Sequence, residues 1–107
     1  MKNKNNSRHD KLLGLIPHGE GAAIPAECLR ALLGLPDTRD VRRAVESARY
    51  DGYVICSSRD GYFQPETERE LLAFIHQWTK HARSVDNMLH SAREMLYQVR
   101  AGQIRGI

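Results

Sequence analysis

The last third of the chain constrains the fold most, because residues 67–101 contain neither proline nor glycine. Thr67 and Glu70 open this segment with the T-x-x-E spacing of a capping box, which is typical of a helix N-terminus. At about 1.5 Å per residue, one helix over this length would be on the order of 50 Å long. The sequence therefore predicts a single long helix in a chain of only 107 residues.

Apolar residues recur along the predicted helix in alternating steps of four and three. The residues in this pattern are Leu71, Ile75, Trp78, Ala82, Val85, Leu89, Ala92, Leu96 and Val99. Such a run over about four heptads indicates a coiled coil, in which Trp78 is a packing residue rather than a base-stacking one. With Leu71 at position d, Phe74, Met88 and Met95 fall at g and widen the stripe.

The heptad stripe predicts that residues 66–101 form an amphipathic helix through which the chain makes a homodimer or a higher homo-oligomer. Two other arrangements stay open. The helix could lie along its own globular domain, or it could bend near Arg83 and Ser84 and fold back as a hairpin.

Length and composition exclude several classes of protein. A chain of 107 residues leaves no room for a separate catalytic domain, so we expect no enzyme. The formal net charge of +3 favours polyanionic partners. It is too small to identify a nucleic-acid partner, so the positions of the basic residues must decide this question. The polar N-terminal residues and the lack of a long apolar run predict a cytoplasmic protein without a membrane span.

Proline, glycine and apolar spacing divide the remainder of the chain. Residues 1–7 are expected to be a flexible basic tail and 102–107 a second tail, with one domain over residues 8–65. A first helix is predicted from Arg8 to Ile16. A second runs from Pro25 to Leu33, with an apolar face of Leu29, Leu32 and Leu33 that Cys28 joins.

A third helix is predicted from Thr38 to Tyr50, with Asp37 or Thr38 as its N-cap and Gly52 at its end. It is followed by a small hairpin. Strand chemistry is present from Tyr53 to Cys56 and again at Tyr62 and Phe63, with an Asp-Gly turn signal between them. The fold class is therefore mainly α with a two-stranded β-hairpin and a long C-terminal helix.

The third helix carries the candidate functional residues. Its apolar residues share one side, so polar and basic side chains occupy the others: Thr38, Arg39, Arg42, Arg43, Glu46 and Arg49. A narrow, positive helix of this kind fits the major groove of DNA, where arginine can form two hydrogen bonds with guanine. Arg49 is better placed for a phosphate, and Arg59 at the hairpin tip could touch a phosphate or the minor groove.

Other chemistries find little support in the sequence. His76 and His81 are five residues apart, which is poor spacing for one helix face, and the two cysteines have no partner at C-x-x-C spacing. We therefore expect no metal site, no cofactor and no catalytic residue.

Four stretches resemble the winged helix-turn-helix DNA-binding domain of the biotin operon repressor and of small phage and prophage proteins. They are residues 27–35, 41–45, 51–55 and 61–65, the last reading Gly-Tyr-Phe-Gln-Pro, and the resemblance covers about residues 10 to 65. It implies that the third helix is a recognition helix and the hairpin a wing, with DNA-contact roles for Arg39, Arg42, Arg43 and Arg59. The corner before Val41 is one residue longer than usual in that family, and no biotin-ligase domain is present.

These observations together predict a sequence-specific double-stranded DNA-binding protein, a transcriptional regulator of bacterial, phage or prophage type. The alternative is a winged-helix module that binds a protein partner in phage replication or assembly, because a fold alone does not fix function. Binding to duplex DNA that weakens with salt distinguishes the two.

Overall fold

The structure, a computed structural model, describes residues 7–102 of the chain. Its elements are α1 (Ser7–Leu15), a short 3-10 helix (Glu20–Ala22), α2 (Ala26–Leu33), α3 (Thr38–Tyr50), β1 (Cys56–Ser58), β2 (Gly61–Phe63) and α4 (Glu68–Arg100). The protein is mainly helical, with one two-stranded antiparallel sheet and a long C-terminal helix, as the sequence predicts. Residues 1–6 and 103–107, which belong to the two expected tails, lie outside the described residues.

The chain forms two compact units, Met1–Leu72 and Ala73–Ile107. The first, which we call the N-terminal unit, contains everything up to the first turn of α4. The second contains the remainder of α4. The helix itself is uninterrupted from Glu68 to Arg100, so the bend considered near Arg83 and Ser84 is not present.

The core of the N-terminal unit lies between its three helices. α3 contributes Val41, Val45 and Ala48, whose spacing of four and three places them on one side of the helix. The other buried apolar members of this cluster are Leu12, Ile16, Leu29 and Ile55.

The buried side of α2 is narrower than the sequence suggested. Leu29 is fully buried and Leu33 partly so, but Leu32 is exposed. Cys28 is also exposed rather than packed in the core. The reason is geometric: successive residues of an α-helix point about 100° apart, so with Leu29 at the centre of the contact, Cys28 is turned out of it.

The corner between α2 and α3 is fixed by local hydrogen bonds. Gly34 adopts the left-handed conformation with φ of 70°, and the Leu35 amide donates to the Arg30 carbonyl at 3.0 Å, which closes the end of α2. Asp37 then caps α3, because its carboxylate accepts a 2.9 Å hydrogen bond from the Arg39 amide. Of the two caps considered from the sequence, the structure uses Asp37.

The hairpin begins later than predicted. Tyr53 to Ile55 were expected to lie in the first strand, whereas β1 starts at Cys56. The preceding residues direct their polar backbone groups to α3 instead: the Tyr53 amide donates to the Ala48 carbonyl at 3.0 Å, and the Ile55 carbonyl accepts from the Arg49 side chain at 2.8 Å. These groups are therefore not available to a strand ladder.

A third segment pairs with the hairpin. Ile24, just before α2, exchanges two backbone hydrogen bonds of 2.9 Å with Tyr62 of β2. This approach requires glycine next to Tyr62: Gly61 has φ of 131°, and a Cβ there would collide with the Ile24 carbonyl. Nothing in the spacing of apolar or turn residues predicts this contact.

Two side chains connect the ends of helices to distant segments. Gln64 donates through its amide nitrogen to the Leu13 and Ile16 carbonyls, at 3.0 and 2.9 Å, and so satisfies groups at the end of α1. Glu70 accepts from the Glu66 amide at 2.8 Å and from the Glu20 amide at 3.0 Å. These two hydrogen bonds lower the pKa of the Glu70 carboxyl, because they stabilise its charged form.

Candidate nucleic-acid interface

The exposed side of α3 is the most distinctive surface of the N-terminal unit. Because Val41, Val45 and Ala48 face the core, the opposite side of the helix is left to solvent. A single row of side chains follows this side in steps of four, three and four: Arg39, Arg43, Glu46 and Tyr50, all of them exposed. Arg42 is exposed beside this row.

The arginines near the start of α3 are held only loosely by carboxylates. Arg39, with 66% of its side chain exposed, lies 3.6 Å from Asp37, and Arg43, with 70% exposed, lies 3.8 Å from Asp40. Exposed pairs of this kind contribute about 0 to 1 kcal/mol, so an incoming anion can replace the carboxylate. Arg42 makes no ion pair with any residue between 7 and 102.

Thr38 and Glu46 complete the polar set on α3 that the sequence singled out. Thr38 is the first residue of the helix and is half-buried, whereas Glu46 is exposed between Arg43 and Tyr50. A carboxylate in this position can accept a hydrogen bond from the amino group of cytosine, but it repels phosphates. Glu46 is therefore suited to a base edge rather than to the DNA backbone.

Arg49 differs from the expectation that it faces a phosphate. Its side chain is half-buried, and its Nε donates a 2.8 Å hydrogen bond to the Ile55 carbonyl. Burial also lowers the pKa of this guanidinium, because the charged form loses hydration. Arg49 thus connects α3 to the segment that leads into β1, and its guanidinium is engaged within the N-terminal unit.

Arg59 lies at the hairpin tip, as predicted. The register pairs Ser58 with Gly61, so Arg59 and Asp60 form a two-residue turn, and the Asp60 amide donates to the Ser58 hydroxyl at 3.1 Å. Arg59 is exposed. It borders an open groove of about 250 Å³ between the hairpin and Pro25 at the start of α2.

Tyr50 is the residue of this surface that the sequence analysis missed. It is 90% exposed, the most exposed of the large hydrophobic residues in the described part of the chain. The available signal was its position eleven residues after Arg39, which places it on the same side of α3. Its phenol ring can pack against sugar or protein surfaces and its hydroxyl can donate or accept a hydrogen bond.

Charge is more evenly balanced around this surface than the arginines alone suggest. Residues 7–72 contain nine Lys and Arg against eleven Asp and Glu, a formal charge of −2. The positive side chains on α3 are therefore a local feature of an otherwise slightly acidic unit. Such a unit would receive little non-specific attraction from DNA as a whole.

A buried histidine is paired with a carboxylate at the C-terminal end of α3. His9 is buried, its Nε2 is 2.6 Å from a carboxylate oxygen of Asp51, and its ring meets Tyr53 edge to face at 5.6 Å. Next to it, an open groove of about 320 Å³ is bordered by Arg8 and Ser47 among others. This pair fixes α1 to the end of α3.

Neither the cysteines nor the acidic and histidine residues form an evident reactive centre. Cys28 and Cys56 are free, and burial raises the pKa of the Cys56 thiol, which makes it less nucleophilic. Within residues 7–102 no three His, Cys, Asp or Glu side chains are grouped so as to hold a metal ion. Over the same residues, no helix has the length and apolar character needed to cross a bilayer.

α4 presents the predicted heptad residues along one continuous helix. None of its residues is buried, and Leu71, Ile75, Leu89 and Leu96 are among the exposed hydrophobic side chains. Trp78 is half-buried and contacts its own helix neighbours on both sides. The predicted use of this stripe in association between copies stays a prediction.

No protein-family model matches the chain, and searches of curated proteins and of solved structures find no match either.

Proposed function

We propose that the N-terminal unit is a winged helix-turn-helix domain that binds double-stranded DNA in a sequence-specific way, as a transcriptional regulator of bacterial or phage type. α2 and α3 would form the helix-turn-helix, with α3 as the recognition helix and the β1–β2 hairpin as the wing. The order of elements supports this assignment, as does the pairing of Ile24 with Tyr62, which joins the segment before α2 to the hairpin.

The observation that carries the proposal is the group of exposed arginines at the start of α3. The N-terminal part of a recognition helix approaches base edges, and Arg39, Arg42 and Arg43 all lie in its first two turns. Arginine can donate two hydrogen bonds to guanine O6 and N7, which is worth about 1 to 3 kcal/mol of discrimination per contact. The carboxylates of Asp37 and Asp40 lie 3.6 and 3.8 Å from Arg39 and Arg43, and such weak exposed pairs would compete little with DNA.

The wing would add a backbone contact. Arg59 at the hairpin tip can reach a phosphate or the minor groove. The salt dependence counts only side chains that neutralise a phosphate. The logarithm of the binding constant should therefore fall with the logarithm of salt concentration with a slope between about −1 per domain, if Arg59 alone contacts a phosphate, and about −4, if Arg39, Arg42 and Arg43 do so as well.

The experiment compares two double variants of the full chain. Duplexes that bind the wild-type protein are first selected from a random-sequence library, and affinities for the selected duplex are then measured by fluorescence anisotropy. Arg42→Ala with Arg43→Ala should weaken binding about a hundredfold or more, because two base or phosphate contacts are lost, and should leave the thermal unfolding temperature nearly unchanged.

The matched control is Lys80→Ala with Arg83→Ala, which removes the same charge from exposed positions on α4. We expect it to bind like the wild type. Equal affinities of the two double variants would remove α3 from the interface, and failure to select any duplex would contradict DNA binding itself.

A module that binds a protein partner, for instance in phage replication or assembly, is the second candidate. The slightly acidic charge of residues 7–72 and the exposure of Leu32 and Tyr50 favour it. A protein interface of mixed polarity need not release counterions, so the slope with salt separates it from DNA binding.

A further inference from the structure

The apolar side of α4 is largely exposed in the described part of the chain. The helix has 33 residues and none is buried. The stripe from Leu71 to Val99 is about 42 Å long at 1.5 Å per residue. An exposed apolar surface of this size marks an interaction site.

We propose that copies of this chain associate through α4, in a parallel and in-register bundle of more than two helices. This inference is independent of DNA binding. It concerns the stripe defined by the heptad positions a and d, together with the apolar g positions Phe74, Met88 and Met95.

The spacing of the stripe indicates that its partner is another helix with the same repeat. Nine positions from Leu71 to Val99 follow steps of four and three without interruption, which averages 3.5 residues. A helix packed on a globular surface or lying in a lipid interface has a period of 3.6, whereas 3.5 is the repeat of helices that coil around each other. A second copy of α4 supplies this repeat over the full length.

The sizes of successive side chains fit an in-register pairing of identical helices. In such a pairing every residue of the stripe meets its own counterpart, so the bulkiest layer is that of Trp78. The layer that follows is Ala82, the smallest available side chain. The indoles can therefore extend over the alanines, which would otherwise leave a void.

Charges flanking the stripe favour the parallel direction. In a parallel pair a g residue lies near the e residue five positions later on the partner, which places His81 near Asp86 of the second copy, and Met88 near Arg93. No like charges meet. In an antiparallel arrangement centred on Val85, Asp86 would lie within about 3 Å along the axis of its own counterpart, so two carboxylates would come close to each other.

Two features of the stripe indicate more than two helices. In the C-terminal half of α4, Leu89 and Leu96 occupy a while β-branched Val85 and Val99 occupy d, and leucine at a with β-branched isoleucine at d shifts coiled coils towards trimers and tetramers. The two-stranded combination, Ile75 at a with Leu71 at d, is confined to the start of the helix. The apolar g residues add a third column, which a two-stranded coil would leave in water.

Charge also argues against a membrane surface as the partner. Residues 68–100 contain five Lys and Arg against four Asp and Glu. Helices that lie on membranes carry a strongly basic polar face, which anionic lipids attract. α4 has no such excess.

The first test is the mass of the full-length protein by light scattering. We expect at least three times the chain mass of 12.2 kDa. Leu89→Asp with Leu96→Asp should reduce it to one chain, whereas Ser91→Asp with Gln98→Asp, on the c positions of the same turns, should leave it unchanged. A wild-type mass of one or two chains would overturn the proposal, as would equal masses of the two variants.

The aspartate variants could lose helix structure for local reasons, so a milder pair keeps the test decisive. Leu89→Ala with Leu96→Ala retains helix propensity and should weaken the association of the helices. On dilution, this variant should dissociate at a higher protein concentration than the wild type does. An assembly that dissociates at the same concentration as the wild type would place the interface elsewhere.

The direction of the helices is tested by cross-linking. Val99→Cys in a Cys28→Ser background should form a disulfide between copies under mild oxidation, because parallel in-register helices bring the two positions together. Glu94→Cys, at an f position on the outside, is the control and should not. Absence of the cross-link at position 99 in an assembly of the expected mass would contradict the parallel arrangement.

Discussion

Replacing Gly61 by alanine should be among the most damaging small changes in this protein. Gly61 has φ of 131°, and a Cβ there would meet the Ile24 carbonyl. Backbone strain at such a φ costs about 1 to 3 kcal/mol. Separation of the two segments also breaks the two hydrogen bonds between Ile24 and Tyr62, at about 0.5 to 1.5 kcal/mol each. The free energy of unfolding of the N-terminal unit should therefore fall by about 2 to 6 kcal/mol.

The chain offers a matched control for this change at Gly14. This glycine lies within α1, its φ is not positive, and no atom stands within 4 Å of the position that a Cβ would take. Gly14→Ala should raise the free energy of unfolding by about 0.5 to 1 kcal/mol, because alanine favours the helical backbone. One substitution type is thus expected to act with opposite signs at two positions.

Urea-induced unfolding followed by circular dichroism gives both free energies. Since α4 contributes strongly to that signal, hydrogen exchange at the Ile24 and Tyr62 amides provides a readout of the N-terminal unit alone. Both amides should exchange faster in Gly61→Ala and no faster in Gly14→Ala. A Gly61→Ala protein as stable as the wild type would show that Ile24 and Tyr62 do not pair as described, and the reasoning about the hairpin would fail with it.

Two further predictions concern side chains that connect distant segments. Arg49→Met should lower the free energy of unfolding by about 1 to 3 kcal/mol, because the Ile55 carbonyl loses its charged donor. The affinity of the folded protein for DNA should stay unchanged. A stable variant with weakened DNA binding would show that Arg49 belongs to the interface. Glu70→Gln should destabilise the protein at neutral pH. Because the pKa of Glu70 is lowered, its stabilising effect is present above the ordinary value of 4.5 and is lost as the pH falls through the pKa of the folded state. The free energies of unfolding of variant and wild type should therefore converge in acid. A constant difference at all pH values would rule out a role for the charge.

The helices were predictable because their signals are local. Asp37 and Thr38 mark the start of α3, Gly52 follows its end, and the unbroken heptads announced α4. Each of these signals depends on residues within one or two turns of one another, where backbone geometry and side-chain spacing leave few alternatives.

The features that escaped prediction depend on contacts between distant residues. The β-branched and aromatic residues from Tyr53 to Ile55 predict a strand, but the Ile55 carbonyl accepts a hydrogen bond from the Arg49 side chain instead. The same hydrogen bond directs the Arg49 side chain to the Ile55 carbonyl, whereas the sequence predicts that it faces a phosphate. Gly61 carried a turn signal, yet its second role, the close approach of Ile24, has no periodic signature in the chain.

The candidate site shows the same division. Spacing alone was enough to place Arg39 and Arg43 on one exposed side of α3, because helical periodicity fixes direction. It could not show that Tyr50 would be left in solvent, since exposure depends on what the remainder of the fold covers.

Because no residue of α4 is buried, the stability of this helix should depend on the protein concentration. Glu70 joins the first turn of α4 to Glu20, but no residue of the helix is buried. A helix of this kind depends on its own propensity and on whatever binds its apolar side. By mass action, the folded fraction of such a helix rises with the supply of its partner. If that partner is a second copy of the chain, the amount of assembled protein depends on the chain concentration raised to a power greater than one. A modest change in expression would then cause a disproportionate change in the number of assembled, fully helical molecules.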